Sequence, residues 1–421
     1  MAVPDTRSPI WLLLLPDPPS DVSLSSFKFA YEPALSTVLS DLANSSKKNG
    51  KTSRLDIALY SSSLSASDRR PRSVLASGLQ KLLGVLYRLV CIICAEKAID
   101  VCHDNDVDAR IFLLGKDLGH SSHGEATPSR HLLQGPIIDF QTLAHSSRPW
   151  IRLFSLESED GETLLKGFFS YRNALPVGRR QHLDIERVGG GLTFEQPRQD
   201  RYQAPKAPKS DGTRHYCVAV GGTFDHLHPG HKLLLSMTAL TLEPEDPHKP
   251  SRERTMIIGI TGDELLTNKK HADQMQSWDD RQQAVREYLS AILDFTTPSE
   301  ALRRIERFSN PGPNGQAIHE EFGADFLVKY VEISDPFGPT ITDESISALI
   351  VSGETRSGGK AVNDKRTAKG WSALDVLEVD VLDAEDNEET GDVESPQNDQ
   401  NFLGKISSTA IRQRLSAKSQ T

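Results

Sequence analysis

Read as apolar and polar positions, the chain changes rhythm near its middle. Up to about residue 186, short apolar runs at 10–15, 55–60, 110–114 and 150–155 stand between polar stretches, and each has the length of a buried strand. One longer segment, 74–102, is apolar at nearly every turn and predicts a single helix crossing a core. A polar loop follows at 116–130, and residues 1–186 read as an α/β domain. Between 187 and 213 the apolar signal stops. Gly189-Gly190-Gly191 precedes Pro197, Pro205 and Pro208, a composition that buries little and predicts a linker. From 214 to 421 a new pattern begins, with strands expected at 216–220, 256–260, 326–333, 348–352 and 374–382. Helices are expected at 231–240, 279–293 and 408–415. The second of these opens with Ser277-Trp278-Asp279-Asp280, the spacing of a capping box. Strands separated by helices predict a doubly wound parallel sheet. In such a sheet ligands bind beyond the carboxyl ends of the strands.

Charge and cysteine usage narrow the chemistry. The formal net charge of -10 argues against general nucleic-acid or anionic-membrane binding, which needs a basic surface. Much of that charge is local: 383–400 carries eight Asp and Glu and no Lys or Arg, and reads as an acidic, disordered insertion. Its deletion is expected to leave kcat intact. Four cysteines in 421 residues do not make a disulfide scaffold, which suits a reducing compartment. The apolar run 10–15 is too short for a signal segment, and 82–94, interrupted by Arg88, falls short of the roughly 20 residues a span needs. A cytoplasmic protein is the expectation. Cys91, Cys94 and Cys102 lie in or at the end of the apolar helix, where free cysteine packs as a small hydrophobe. The run 104–109 begins like a calcium loop but lacks its sixth-position glycine and later glutamate, and reads as a turn.

The strongest candidate chemistry follows the strand 216–220. Gly221-Gly222-Thr223-Phe224-Asp225-His226-Leu227-His228-Pro229-Gly230-His231 runs from a strand through a loop into a helix. Glycines let a phosphate approach the backbone, and a helix N-terminus offers free N–H groups and partial positive charge. His228 and His231 flank Gly230, so both imidazoles can reach the same anion, and the Thr223 hydroxyl stands at the strand end. Near the C-terminus, Lys405-Ile406-Ser407-Ser408-Thr409-Ala410-Ile411-Arg412 makes a second phosphate cradle of hydroxyls, helix amides and a charged fork. Between them, Ser352-Gly353-Glu354-Thr355-Arg356-Ser357-Gly358-Gly359-Lys360-Ala361-Val362-Asn363-Asp364-Lys365-Arg366 follows a buried strand. It is no P-loop, since Glu354 stands where the first glycine belongs and Ala361 replaces the Mg²⁺-binding hydroxyl.

These residues carry a resemblance. The first segment resembles the HxGH signature of the adenylyl- and cytidylyltransferase superfamily, and the last resembles its Ile-Ser-Ser-Thr-x-x-Arg closure. The middle segment is similar to a loop of phosphopantetheine adenylyltransferases of the eukaryotic, fungal type. The resemblance covers only the second half, where it implies a Rossmann-like nucleotidyltransferase fold; the first half tells nothing of its role. It implies ATP contacts from Gly221, Gly222, Phe224, Gly230, Gly358, Gly359, Asn363, Arg366, Ser407, Ser408, Thr409 and Arg412. His228, His231 and Thr223 would serve the chemistry, with Lys269 or Lys270 on the acceptor phosphate. The family often has Arg directly before the Gly-Gly pair, where this chain has Ser357, so Arg356 has no assigned role. The segment 335–340, Asp-Pro-Phe-Gly-Pro-Thr, is reminiscent of the fungal branch but shows no chemistry beyond shaping a loop. The implied reaction joins ATP and 4′-phosphopantetheine to give dephospho-coenzyme A and pyrophosphate. Mg²⁺ would arrive with ATP rather than sit in a protein cage. The rival readings are a cytidylyltransferase making a CDP-alcohol and an idle scaffold of the coenzyme A pathway. Other enzymes of that pathway are candidate partners, since no Gly-x-x-x-x-Gly-Lys-Ser/Thr for a fused kinase is present.

Overall fold

The computed structural model describes residues 8–65, 70–102, 106–116, 135–179, 182–190, 212–245, 252–296, 303–309, 315–322, 325–380, 382 and 407–419. The expected loop beyond 116, most of the expected linker, the acidic stretch 383–400 and residues 405–406 lie outside these. The chain forms two compact units. One takes Met1–Arg69, Val85–Ala204 and Ala291–Glu300; the other takes Arg70–Gly84, Pro205–Ser290 and Ala301–Thr421.

The first unit is built on a six-stranded sheet. Its strands are β1 (Ile10–Leu15), β2 (Ser53–Ser61), β3 (Val107–Gly115), β4 (Ile137–Ile138), β5 (Trp150–Leu156) and β6 (Asp184–Val188). They lie in the order β4-β3-β2-β1-β5-β6, with every neighbouring pair parallel. A parallel sheet is covered on both faces, so its strands read as continuous apolar runs. Leu12 and Leu14 enter one core with Leu164, Leu165 and Phe168 of the helix α4 (Glu159–Arg172), while Trp11, Leu13 and Leu15, on the opposite face, are buried as well. The helix α1 (Leu24–Asn49) is absent from the sequence-based expectations. Ser23 caps it by accepting from the Ser26 amide, and Gly50 closes it at a left-handed φ of 62°. The expected helix 74–102 is α2 (Arg72–Glu96), of which the residues from Val85 on belong to this unit, and the chain turns at Ala98 with φ 52°. Among the described residues α2 is the one helix long and apolar enough to cross a membrane, and 61% of that stretch is buried within the protein. A short helix, α3 (Phe140–His145), packs on α4. The turn from β5 into α4 is tight: a Cβ on Gly161 would stand 2.2 Å from the Leu156 carbonyl oxygen.

The second unit has seven strands: β7 (Cys217–Gly222), β8 (Arg254–Thr261), β9 (Ile305–Phe308), β10 (Ala317–Glu321), β11 (Phe326–Ile333), β12 (Ala348–Ser352) and β13 (Asp375–Val379). The order is β13-β12-β7-β8-β11-β10-β9, parallel from β13 to β11 and antiparallel at the β10 and β9 edge. Its helices are α5 (Pro229–Thr241), α6 (Trp278–Leu293), α7 (Arg356–Ala368) and α8 (Ser408–Ser419). Both units are α/β with doubly wound sheets. Every strand and helix expected after residue 214 is present, while β9, β10 and α7 are additional. The segment 353–366, expected as a loop, is a 3₁₀ turn (Gly353–Thr355) followed by α7. In this sheet β7 has β8 on one side and β12 on the other, so the winding direction reverses there. That reversal opens the crevice in which such sheets hold ligands.

Candidate functional site

A cavity of about 540 Å³ opens beyond the carboxyl ends of β7, β8, β11, β12 and β13. Of the residues singled out from sequence, Gly221, Gly222, Thr223, Phe224, Gly230, His228, His231, Lys269, Gly358, Gly359, Ser407, Ser408, Thr409 and Arg412 line it. Three motifs far apart in sequence therefore meet at one place.

The histidine pair is built by the start of α5. His228 occupies the N-cap position with Pro229 following, and its side chain makes no capping hydrogen bond. The first-turn amides are left for another acceptor, the arrangement that suits an anion. The space at Gly230 is tight: a Cβ there would lie 3.1 Å from His228 Cε1, so the imidazole would have to shift to admit one. The two imidazoles stack at 3.9 Å, and Phe224 meets the His231 ring edge-on at 5.4 Å. Phe224 and His226 both adopt left-handed backbone, φ 53° and 46°, a cost that non-glycine residues carry at functional loops. Nδ1 of each histidine is enclosed without a hydrogen-bond partner. Burial, reinforced by His231 and Lys232, holds His228 well below the ordinary histidine value, and burial with His226 pushes His231 down to about 3. Both rings are neutral near pH 7, each with one N–H to donate.

The closing segment is anchored to the same loop. Ser407 Oγ accepts from the Ala410 amide and caps α8, while Ser408 Oγ donates to the Asp225 carbonyl at 2.9 Å. Arg412, expected as a charged fork for phosphate, is 3% exposed. It donates to Asp225 Oδ2 at 2.6 Å, to the Lys270 carbonyl and to Thr409 Oγ1. In this structure its charge is already matched by Asp225, so it pins α8 to the loop. Asp225 stands within the glycine–histidine motif with no role expected of it. Its signal was an acidic residue inside an anion site, which demands a buried cation as partner. Arg281 of α6 was missed outright. It is fully buried and donates to the carbonyls of Thr223, Thr261 and Gln276 and to Asp263, fixing the strand ends of β7 and β8.

Two expected contacts are corrected. Arg366 does not face the cavity. It is 1% exposed and donates to the carbonyls of Thr340, Asp343, Glu344, Ile346 and Ser372. Asn363 uses its amide on both backbone groups of Leu374. The reason is helical: α7 starts at the cavity with Gly358 and Gly359, and Asn363 and Arg366 lie one and two turns further on. Of the lysine pair, from which one was expected on the acceptor phosphate, Lys269 belongs to the lining and Lys270 does not.

Residues 1–194 match a family described as a domain of unknown function (DUF8446). Among curated proteins, the chain is similar to uncharacterized protein C1F12.08 of Schizosaccharomyces pombe, 35% identical over 47% of this chain and 47% of that protein. It is similar to the phosphopantetheine adenylyltransferase of Saccharomyces cerevisiae, 32% identical over 50% of this chain and 52% of that protein. A protein of the same name from Methanothermobacter thermautotrophicus is 28% identical over 40% of this chain and 76% of its own length. The chain thus spans about half the length of the first two relatives, and its similarity runs to proteins named phosphopantetheine adenylyltransferase in both fungi and archaea.

Proposed function

We propose that this protein transfers AMP from ATP to 4′-phosphopantetheine, giving dephospho-coenzyme A and pyrophosphate. The observation that carries the reading is the neutral pair His228 and His231, with unpartnered Nδ1 atoms, in a cavity also lined by the first turns of α7 and α8. Helix amides and neutral donors suit a polyphosphate, and the names of the relatives point to this acceptor.

The acceptor phosphate is a competent nucleophile at neutral pH, so no general base is needed. Its oxygen attacks the α-phosphorus in line, and the bond from that phosphorus to the bridging oxygen of pyrophosphate breaks. The protein's part is positioning and charge stabilisation. Thr223 and Lys269 would hold the acceptor phosphate, His228 and His231 the α-phosphoryl oxygens, and the α8 cap Ser407–Thr409 the leaving pyrophosphate. Mg²⁺ would travel with ATP, bound mainly by phosphate oxygens.

Pyrophosphate release with phosphopantetheine, compared between ATP and CTP, tests the assignment: ATP preference is expected and CTP preference overturns it. His231→Ala should lower kcat by about 10²–10³, the effect of losing one transition-state donor. Near-normal turnover in that variant would take His231 out of the chemistry.

A further inference from the structure

We propose that the first half of α2 is part of the nucleotide-binding machinery, and that its Gln80 is a positioning residue for Asp380 on the cavity wall. The inference rests on the nucleotide-transfer reading above and deepens it. It gives a part in that site to residues inside the 1–194 match, where the sequence offered no role. Arg70–Gly84 fold into the second unit, and only from Val85 on does α2 belong to the first. Polar anchors fix the segment there. The Arg72 amide donates to Glu243 Oε1 at 2.7 Å, and the Arg214 guanidinium donates to Glu243 Oε2 at 2.6 Å. Glu243 is 2% exposed, and a carboxylate so buried needs such donors, so the start of α2 and the end of α5 hold one another. Ser73 Oγ adds a bond to the Thr213 carbonyl at 2.6 Å. Further along, Leu75, Leu79, Leu82 and Leu83 are buried, and a Cβ on Gly84 would touch Leu233 of α5 at 3.9 Å.

Gln80 lies one turn before Gly84, on the same side of the helix. Its Nε2 donates to Asp380 Oδ2 at 3.0 Å, across 300 positions of sequence. Asp380 directly follows β13 and lines the cavity together with Val379 and Leu382. A residue far outside the three motifs thus sets the direction of a carboxylate inside the site. In a site for polyphosphate a carboxylate is repelled by the phosphates and suits the donors of the nucleoside, a ribose hydroxyl or an exocyclic amine. Asp380 is exposed, and a free aspartate there would lose rotamer freedom when it met such a donor. The Gln80 amide takes one oxygen and holds the side chain in advance, which reduces that loss at binding.

The test titrates the full chain with ATP in a calorimeter, so it reads nucleotide binding whatever the acceptor. Asp380→Ala should raise the Kd for ATP by about tenfold, and Gln80→Ala by about threefold. Because Gln80 acts through Asp380, the double variant should bind no more weakly than Asp380→Ala alone; effects that multiply overturn the positioning role. Gln80→Glu keeps the shape of the side chain but sets carboxylate against carboxylate, and should weaken ATP more than Gln80→Ala does. If Gln80→Ala does not fold, Gln80→Glu decides, and a wild-type Kd there overturns the proposal. Titrations with 2′-deoxy-ATP, 3′-deoxy-ATP and inosine triphosphate name the donor. Asp380→Ala should lose the discrimination against a deoxynucleotide if it meets a hydroxyl, or against inosine triphosphate if it meets the amine. Discrimination unchanged against all three overturns the contact. A protein that binds ATP but releases no pyrophosphate with phosphopantetheine loses its assigned acceptor only, and the Gln80 comparison still decides; one that binds no ATP overturns both readings.

Discussion

His228 and His231 stack within 3.9 Å of each other in a site suited to anions, yet burial keeps both uncharged. Two imidazolium ions there would pay the desolvation of both charges and repel each other; neutral rings avoid that until a phosphate arrives. The arrangement has a cost in acid. The unfolded chain protonates these histidines near the ordinary value of 6.5, whereas folded His231 resists down to about 3. A folded value below the unfolded one means that stability is present above about 6.5 and is lost as pH falls from there towards 3. The loss is up to about 1.4 kcal/mol per pH unit for each such group. Urea unfolding at pH 7.5 and 5.5 should therefore show a smaller acid loss in His231→Asn than in wild type. Equal losses would mean that His231 is not buried neutral.

The helix α5 shows how one residue serves an element and a site at once. Gly230 lies in its first turn, where alanine is the better helix former by about 1 kcal/mol. A Cβ at this position, however, would press on His228 at 3.1 Å. Gly230→Ala should therefore keep or raise the thermal midpoint while lowering kcat/KM by about tenfold or more through displacement of the ring. A simultaneous loss of both would point to a folding defect instead. The same helix was legible in sequence because apolar residues fill it and a strand with two glycines leads in. By contrast α7 was hidden. Its only large apolar residue is Val362, its first turn holds two glycines, and most of the rest is polar: Lys360, Asn363, Asp364, Lys365, Arg366 and Thr367. Reading it as a loop placed Asn363 and Arg366 on the ligand, because residue type and spacing say nothing of helix face. The strands β9 (Ile-Glu-Arg-Phe) and β10 (Ala-Ile-His-Glu-Glu) escaped because charged residues break their apolar runs, and α1 because Pro33 and its many serines and lysines blur its apolar face.

At the scale of the whole molecule, the boundary drawn from composition at 187–213 divides what the fold does not. The first unit closes its core with residues from beyond that boundary. Phe295 joins the cluster of Leu12, Phe112 and Trp150, with its ring 5.0 Å from Phe112 and Arg148 lying 3.9 Å from its centroid. Arg148 also donates to the carbonyls of Ala291 and Asp294, and the Gly135 amide donates to the Leu293 carbonyl. A fragment ending at residue 213 lacks all of these. Followed by the fluorescence of Trp11 and Trp150, it should unfold at lower urea than the same residues in the full chain. Equal midpoints would show that 291–300 adds nothing.

That interleaving also has a consequence in time. Translation delivers β6 more than a hundred residues before Phe295, a gap on the order of ten seconds at ordinary elongation rates. During that interval the surface that Phe295 will cover stays open on the nascent chain, and the first unit is exposed to chaperones and to its own aggregation until the ribosome has passed residue 300.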